Sequence, residues 1–122
     1  MKEYLNITKA LSDETRVRAL MMLDGQELCL CEIIDILKLA PSTVSKHMSL
    51  LYTAGLIHRR KQGKWQYYRL ADTESDCPTT IKSALAWTRT TLADTKQINQ
   101  DKQTRCCSKD KELEELCACY RS

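Results

Sequence analysis

Two cysteines that are one residue apart, Cys29 and Cys31, carry the most distinctive chemistry of this 122-residue sequence. Thiolates are the ligands that soft metal ions and trivalent metalloids prefer. If Cys29 lies at the start of a helix, the helix dipole and the unpaired N–H groups should lower the pKa of its thiol. Helical residues i and i+2 point about 200° apart, so one ion could bind both sulfurs only by distorting the first turn. The alternative is that both cysteines are small buried hydrophobic residues.

The segment after these cysteines predicts two short helices. Residues 31–39 carry apolar side chains along one side, and Ala40-Pro41 ends that helix. Ser42 is the predicted N-cap of a second helix over residues 42–54, which Gly55 terminates. Two helices in this order form a helix-turn-helix, whose second helix enters the major groove of DNA. The predicted groove contacts are Ser42, Thr43, Ser45, Lys46 and His47.

Residues 56–70 predict two strands joined at Gln62-Gly63, which is the pattern of a wing. The segment contains five basic residues and no carboxylate, with Trp65, Tyr67 and Tyr68 between them. Such a segment can neutralise phosphates, and the alternative is a solvated basic hairpin. The predicted backbone contacts are Arg59, Arg60, Lys61 and Lys64.

At these residues the chain resembles the ArsR/SmtB family of metal-responsive winged-helix repressors, and within it the arsenite-responsive branch. Four pieces carry the resemblance in the same order, residues 11–16, 27–33, 42–56 and 60–70. The resemblance implies a mainly α fold with a β-hairpin wing, a winged helix-turn-helix of four helices, two strands and a fifth helix. It also implies a homodimer that forms through the first and last helices. The interface candidates by resemblance are Tyr4, Leu5, Ile81, Leu85, Trp87 and Leu92.

The resemblance further implies a repressor of an arsenic-resistance operon, with no enzyme activity and no organic cofactor. Its inducer would be trivalent arsenic or antimony bound by cysteine thiolates, which releases the double-stranded operator DNA. Cys29 and Cys31 are the first choice of ligands. Ile34 stands where some arsenite repressors have a third cysteine, so inorganic arsenite needs a third sulfur from elsewhere. The second choice of ligands is the C-terminal set Cys106, Cys107, Cys117 and Cys119.

Other functions stay open at this point. The C-terminal cysteines could form a separate site, lend a sulfur to the first pair or serve as a disordered thiol buffer, whereas Cys77 is expected to be incidental. A regulator of the same fold could instead respond to thiol oxidation or to cadmium or lead. Zinc is disfavoured because both histidines, His47 and His58, lie in the predicted DNA-contacting elements. A thiol carrier or reductase is disfavoured because the chain has only three glycines and no C-x-x-C.

The remaining pattern predicts the organisation of the chain. Helices are expected over residues 3–11 and 15–23, the second capped by Ser12 or Asp13, and one long helix over residues 79–97. We expect a DNA-binding and dimerisation domain over residues 1–98 and a cysteine-rich tail over residues 99–122, dispensable for operator binding. No apolar run approaches the roughly 18 residues of a membrane span. A cytoplasmic protein with no membrane partner is therefore expected, and seven cysteines in a reducing compartment favour ligands or redox thiols over structural disulfides.

Overall fold

The computed structural model describes residues 1–108, except for the side chains of residues 106–108. Helices and a small sheet follow one another along the chain, and this confirms the mainly helical class with a β-hairpin. In chain order the elements are α1 (Lys2–Ala10), α2 (Glu14–Met22), β1 (Leu28–Cys29), α3 (Leu30–Leu37), α4 (Pro41–Thr53), β2 (Ile57–Gln62), β3 (Trp65–Leu70), a 3₁₀ turn (Ala71–Thr73), α5 (Thr79–Leu92) and α6 (Lys96–Ser108).

The hydrophobic core lies where α2, α3 and α4 pack on one another and on the hairpin. The apolar stripes read from the sequence supply it, because each helix buries the side that carries them. Its largest fully buried side chains are Leu20, Met21, Met22, Leu23, Leu28, Ile33, Met48, Leu51, Leu56, Ile57, Leu70 and Leu85.

The starts of two helices test the predicted caps. Asp13 caps α2, since its Oδ1 accepts a hydrogen bond from the backbone N–H of Arg16 at 3.1 Å. The predicted cap at Ser42 is wrong, because α4 already begins at Pro41 and Ala40 is the N-cap residue. Proline suits the first position of a helix, where its missing N–H would have had no partner. Gly55 follows α4 with a φ of +84°, a conformation that favours glycine, and confirms the predicted end of the helix.

The sheet has one strand more than the sequence predicted. Its order is β1-β3-β2 and both pairings are antiparallel. The hairpin pairs Ile57 with Leu70 through to Gln62 with Trp65, as expected for the wing. The short strand β1 pairs Cys29 with Tyr67. The cysteine segment and the wing therefore share one sheet.

The single long helix predicted over residues 79–97 is wrong. Helix α5 ends at Leu92, and residues 93–95 turn the chain before α6 begins at Lys96. Helix α6 packs against α2 and α3, and Ile98 is buried in the core. The division of the chain at residue 98 stays a prediction, and α6 spans that residue. Cys117 and Cys119 lie outside the described residues.

No helix within residues 1–108 has the length and apolar character that crossing a membrane requires.

Candidate functional site

Cys29 lies at the junction of the sheet and α3. It is the last residue of β1 and the N-cap residue of α3, with extended φ and ψ of −75° and 149°. Its backbone N–H donates to Oε1 of Glu32 at 3.0 Å, and only 1% of the residue is exposed. Because Cys29 is extended and Cys31 is helical, the two thiols do not share a helical turn.

The pKa of the Cys29 thiol is raised above its ordinary value, and the prediction of a lowered pKa is wrong. Burial is the main cause, because a thiolate loses hydration in the core, and the Glu32 carboxylate acts in the same direction. Backbone N–H groups, among them that of Cys31, oppose the shift without cancelling it. Cys29 is therefore a protonated thiol at neutral pH.

The other described cysteines differ in oxidation state. Cys31 is half-buried and joined in a disulfide bond, whereas Cys29 and Cys77 are free thiols. A soft ion can bind Cys31 only after this disulfide is reduced. Cys77 packs in the core, where burial raises its pKa, and its sulfur contacts the carbonyl oxygen of Pro78 at 3.6 Å.

A complete metal-binding cluster does not occur among the side chains that the structure describes. Within them, no three histidine, cysteine, aspartate or glutamate side chains come together in a way that could hold a metal ion. The side chains of Cys106 and Cys107, like the whole of Cys117 and Cys119, lie outside that set. Cys29 and Cys31 thus stay predicted ligands.

Helix α4 presents the residues predicted to enter the major groove. Of that set, Ser42, Thr43 and Lys46 are exposed, and Ser45 and His47 are half-buried. Nδ1 of His47 lies 3.3 Å from Nη1 of Arg16. The sequence analysis gave no role to Arg16, which also donates to the carbonyl oxygens of Lys9 and Ala10 at 3.0 Å each. Arg16 therefore fixes one side of α4 to the end of α1.

The cations of the wing meet different surroundings. Arg59 is exposed and lies over the ring of Tyr52 at 3.9 Å, and Lys64 lies over the ring of Trp65 at 4.8 Å. Arg60 instead binds Glu27, with Nη2 and Oε1 2.5 Å apart. The hairpin has no carboxylate of its own, but Glu27 reaches it from 33 residues away in the chain. That separation leaves no local signal in the sequence.

Helix α6 is held by polar contacts that the sequence analysis missed. Asp101 is 4% exposed and accepts hydrogen bonds from Nε and Nη2 of Arg18 at 2.9 and 3.0 Å. Asp24 accepts from Nε of Arg89 at 2.9 Å and from Nζ of Lys102 at 3.2 Å. We call this set the α6 clamp, and its members are Arg18, Asp24, Arg89, Asp101, Lys102 and Arg105.

Arg105 completes the α6 clamp near the end of the helix. Its Nη1 donates to the carbonyl oxygens of Met22 and Asp24, at 2.8 Å each. The last carbonyl groups of a helix lack partners within the helix. Arg105 therefore fixes α6 to the end of α2 and to the loop that leads into β1.

An exposed apolar surface lies on α1 and α5. Tyr4 and Trp87 are 67% and 65% exposed, and Leu5 is exposed beside them. Ile81 and Leu85, which were also interface candidates, are buried in the core of the chain itself. Those two candidates are wrong, because their side chains are already buried in the hydrophobic core of the chain itself.

Comparison with known proteins identifies the family. Residues 13–59 match the model of the bacterial regulatory proteins of the arsR family. The chain is also 40% identical over 67 residues to the uncharacterized HTH-type transcriptional regulator MJ1325 of Methanocaldococcus jannaschii, across 54% of this chain and 75% of that protein. The chain belongs to the arsR family. This arsR-family member is accordingly a DNA-binding transcriptional regulator and not an enzyme.

Two further comparisons refine this placement. The arsenical resistance operon repressor of Escherichia coli K12 is 40% identical to the regulator over 68 residues, which are 55% of this chain and 58% of that repressor. The chain thus spans little more than half of that relative. The homodimeric winged helix-turn-helix domain of Mb0332 from Mycobacterium bovis, a possible ArsR-family regulator, superposes with a TM-score of 0.62 at 22% identity, over 78% and 82% of the two chains. This likeness confirms the winged helix-turn-helix fold.

Proposed function

We propose that this regulator is a homodimeric repressor of an arsenic-resistance operon, and that it leaves its operator when trivalent arsenic or antimony binds Cys29 and Cys31. The observation that carries the proposal is the position of Cys29. On one side its strand pairs with β3 of the wing, and on the other it caps α3, which three residues separate from the DNA-contacting helix α4. A ligand that draws the buried sulfur out of the core must therefore move the wing or α3.

The chemistry at these thiols is substitution at arsenic. Each thiol that replaces a hydroxyl group of arsenous acid forms one As–S bond, and its proton leaves with that hydroxyl as water. The raised pKa of Cys29 does not prevent this exchange, because the proton departs with the leaving group. A soft trivalent centre gains most from sulfur ligands, which supports arsenic or antimony over harder ions.

The exposed surface of α4 and the wing supports DNA binding. Lys46, Arg59 and Lys61 are exposed, and no ion pair engages them within the described residues. Such cations can neutralise phosphates, while Ser42 and Thr43 at the start of α4 can reach base edges.

Dimer formation is supported by the apolar surface of α1 and α5. Contiguous exposed apolar residues such as Tyr4, Leu5 and Trp87 mark interaction surfaces. The Mb0332 domain, which has the same fold, is homodimeric. A twofold dimer would bind two half-sites of a pseudo-palindromic operator, with centres about 34–36 Å apart.

The test is release of operator DNA from fully reduced protein. An operator is first selected from a random duplex library, and its binding is followed by fluorescence anisotropy with a phosphine as the only reductant. Arsenite should release the DNA from wild type but not from Cys29→Ser or Cys31→Ser, which should still bind it. Cys77→Ser is the matched control and should respond like wild type. A normal response of the Cys29→Ser, Cys31→Ser double variant would contradict the proposed ligands and move them to the C-terminal cysteines.

A second candidate function is regulation by thiol oxidation, and the disulfide at Cys31 favours it. In that case an oxidant alone should release the DNA, and a reductant should restore binding. Arsenite under full reduction should then have no effect. Cadmium or lead added in the same assay would reveal a regulator of the same fold for another soft metal.

A further inference from the structure

Arg16 and His47 connect the end of α1 with the helix that is proposed to enter the major groove. Nη1 of Arg16 lies 3.3 Å from Nδ1 of His47. The other nitrogens of the guanidinium are held by α1, because Nε and Nη2 donate to the carbonyl oxygens of Ala10 and Lys9 at 3.0 Å each. The Arg16 side chain is only 11% exposed, and Oδ2 of Asp13 lies 4.0 Å from its Nη1. Arg16 thus places a fixed donor against the ring of His47.

This contact determines which nitrogen of the His47 ring carries the proton. An arginine side chain has N–H donors and no acceptor, and it keeps its charge in proteins. Nδ1 of His47 therefore accepts the hydrogen bond from Arg16. A doubly protonated ring would set N–H against N–H and positive charge against positive charge. In the neutral ring that remains, the proton lies on Nε2.

His47 lies where α4 changes from its buried to its exposed side. Val44 and Met48 are fully buried, whereas Thr43 is exposed. Residues four apart lie on the same side of a helix, so His47 follows Thr43 by one turn. Within the described part of the chain, the bond at Nδ1 is the one hydrogen bond of this half-buried ring. The Nε2–H group is therefore left for a partner outside the chain.

A single N–H donor on this side of α4 would distinguish between bases. In the major groove guanine offers two acceptors, N7 and O6, whereas adenine has an amino donor beside its N7. Cytosine offers a donor, and thymine offers one acceptor beside its methyl group. A group that can donate but not accept therefore fits guanine best.

We propose that Arg16 is a positioning residue that holds His47 in its Nε2–H form, and that this N–H donates to N7 or O6 of one guanine in each operator half-site. Arg16 acts through His47 and does not itself contact DNA. The guanine contact rests on the proposed binding of DNA by α4, whereas the protonation of the ring in the free protein does not. Release of the DNA by arsenic plays no part in either.

The first experiment observes the ring in the reduced full-length protein without DNA. Two-bond ¹H–¹⁵N correlation spectra distinguish protonated from unprotonated ring nitrogens, and they are recorded at about pH 8.5, where free imidazole is neutral. The chain has two histidines, and His58→Gln identifies the signals of the second one. We expect a protonated Nε2 and an unprotonated Nδ1 for His47 in wild type. A proton on Nδ1 would overturn the proposal.

The same spectra test the role of Arg16. In Arg16→Met the shifts of the two ring nitrogens should move toward each other, because the two tautomers then exchange. Lys9→Met is the matched control, since it removes an exposed charge from the same end of α1 and keeps the carbonyl group that Arg16 binds. It should leave both shifts unchanged. Unchanged shifts in Arg16→Met would show that Arg16 does not position the ring.

The second experiment measures base preference on the operator selected from the duplex library. Each G·C pair of one half-site is replaced in turn by A·T, and fluorescence anisotropy gives the affinity. At one position we expect wild type to lose about fivefold, which is the effect of one hydrogen bond, and His47→Ala to lose nothing. His47→Gln should reverse the preference there, because an amide pairs with N6 and N7 of adenine. In Arg16→Met the preference for guanine should fall about twofold, since the ring must then be ordered on binding.

The outcomes separate this inference from the proposed function. If the reduced protein selects no duplex, DNA binding and the guanine contact are both wrong, whatever the spectra show. If arsenite releases a bound operator but His47→Ala keeps the preference for guanine at every position, the proposed function stands and the guanine contact is wrong. The wild-type spectrum and the His47 variants decide these points even if Arg16→Met weakens the fold.

Discussion

The basic residues of the wing and those of the α6 clamp have the same chemistry and opposite surroundings. In the wing, Arg59 is exposed and lies over the ring of Tyr52, and Lys61 is exposed to solvent. In the α6 clamp, Arg18, Arg89 and Lys102 each bind a carboxylate. A basic side chain that pairs with a carboxylate from elsewhere in the chain stabilises the fold. A basic side chain without such a carboxylate is available to bind phosphate.

Burial makes this difference energetic as well as geometric. Exposed ion pairs contribute about 0–1 kcal/mol to stability, whereas removing one partner of a buried pair costs about 3–5 kcal/mol. Asp101 is 4% exposed and belongs to the second class. Arg60 is an intermediate case, because it belongs to the wing but forms an ion pair with Glu27.

Truncation after Gln97 should have the largest effect on this comparison. It removes buried Ile98 and Asp101 and leaves Arg18 without its partner, so the free energy of unfolding should fall by about 5 kcal/mol. Urea unfolding measures the loss. Truncation after Ser108, which retains α6, is the matched control. Equal stability of the two truncated chains would show that α6 does not stabilise the fold; the sequence alone predicts only that operator binding survives this truncation.

Asp101→Asn should have the next largest effect. The substitution keeps the size of the side chain but removes the negative charge of the carboxylate that accepts two hydrogen bonds from Arg18. We therefore expect the free energy of unfolding to fall by about 3 kcal/mol. Asp94→Asn is the matched exposed control and should change stability by less than about 0.5 kcal/mol. Similar losses in both variants, measured by urea unfolding, would remove the distinction between the buried and the exposed charges.

The wing can be tested by the salt dependence of DNA binding. Lys61→Ala should lower the slope of log K against log salt by about 0.9, because one phosphate contact is lost. Arg60→Ala should change the slope less, since Glu27 already neutralises that guanidinium. Glu27→Gln should raise the slope by releasing Arg60. Equal slopes for the first two variants would show that Glu27 does not withhold Arg60 from DNA.

Asp24 should give the smallest effect, one that is present at neutral pH and lost in acid. Burial raises its pKa, but hydrogen bonds from Arg89 and Lys102 outweigh burial and leave the pKa below the ordinary 3.8. The carboxylate therefore stabilises the fold above that pH, and the contribution disappears as the pH falls through the lowered value. Wild type should exceed Asp24→Asn by about 1 kcal/mol at pH 7, and the two should converge only as the pH falls below the ordinary pKa of 3.8 and through the lowered value. A constant difference across that range would contradict the assignment.

The helix-turn-helix and the wing were largely predictable from the sequence, because their signals are local. The apolar stripes of α3 and α4, the glycine after α4 and the alternation in the hairpin each lie within a few residues. The start of α4 was misplaced by one residue for a local reason too. Ser42 is a common capping residue, but Pro41 directly before it is itself a preferred first residue of a helix.

The thiol side was less predictable, because its properties depend on contacts across the chain. The pKa of Cys29 follows its burial, which the sequence position alone does not give. Arg18 and Asp101 lie 83 residues apart. The break between α5 and α6 contains neither glycine nor proline, so the sequence pattern predicts a helix that continues through residues 93–95. Only the packing of α6 on α2 and α3 shows where the chain must turn.

Strand β1 is only two residues long, and its shortness has a dynamic consequence. So short a strand can separate from β3 and close again while the helical core stays folded, as a local opening event. The wing then exchanges between a three-stranded and a two-stranded sheet. A ligand that binds one of these states more tightly by about 5.5 kcal/mol would shift their ratio from 1:99 to 99:1. The weakest strand of the sheet is thus the one whose opening a ligand at Cys29 could control.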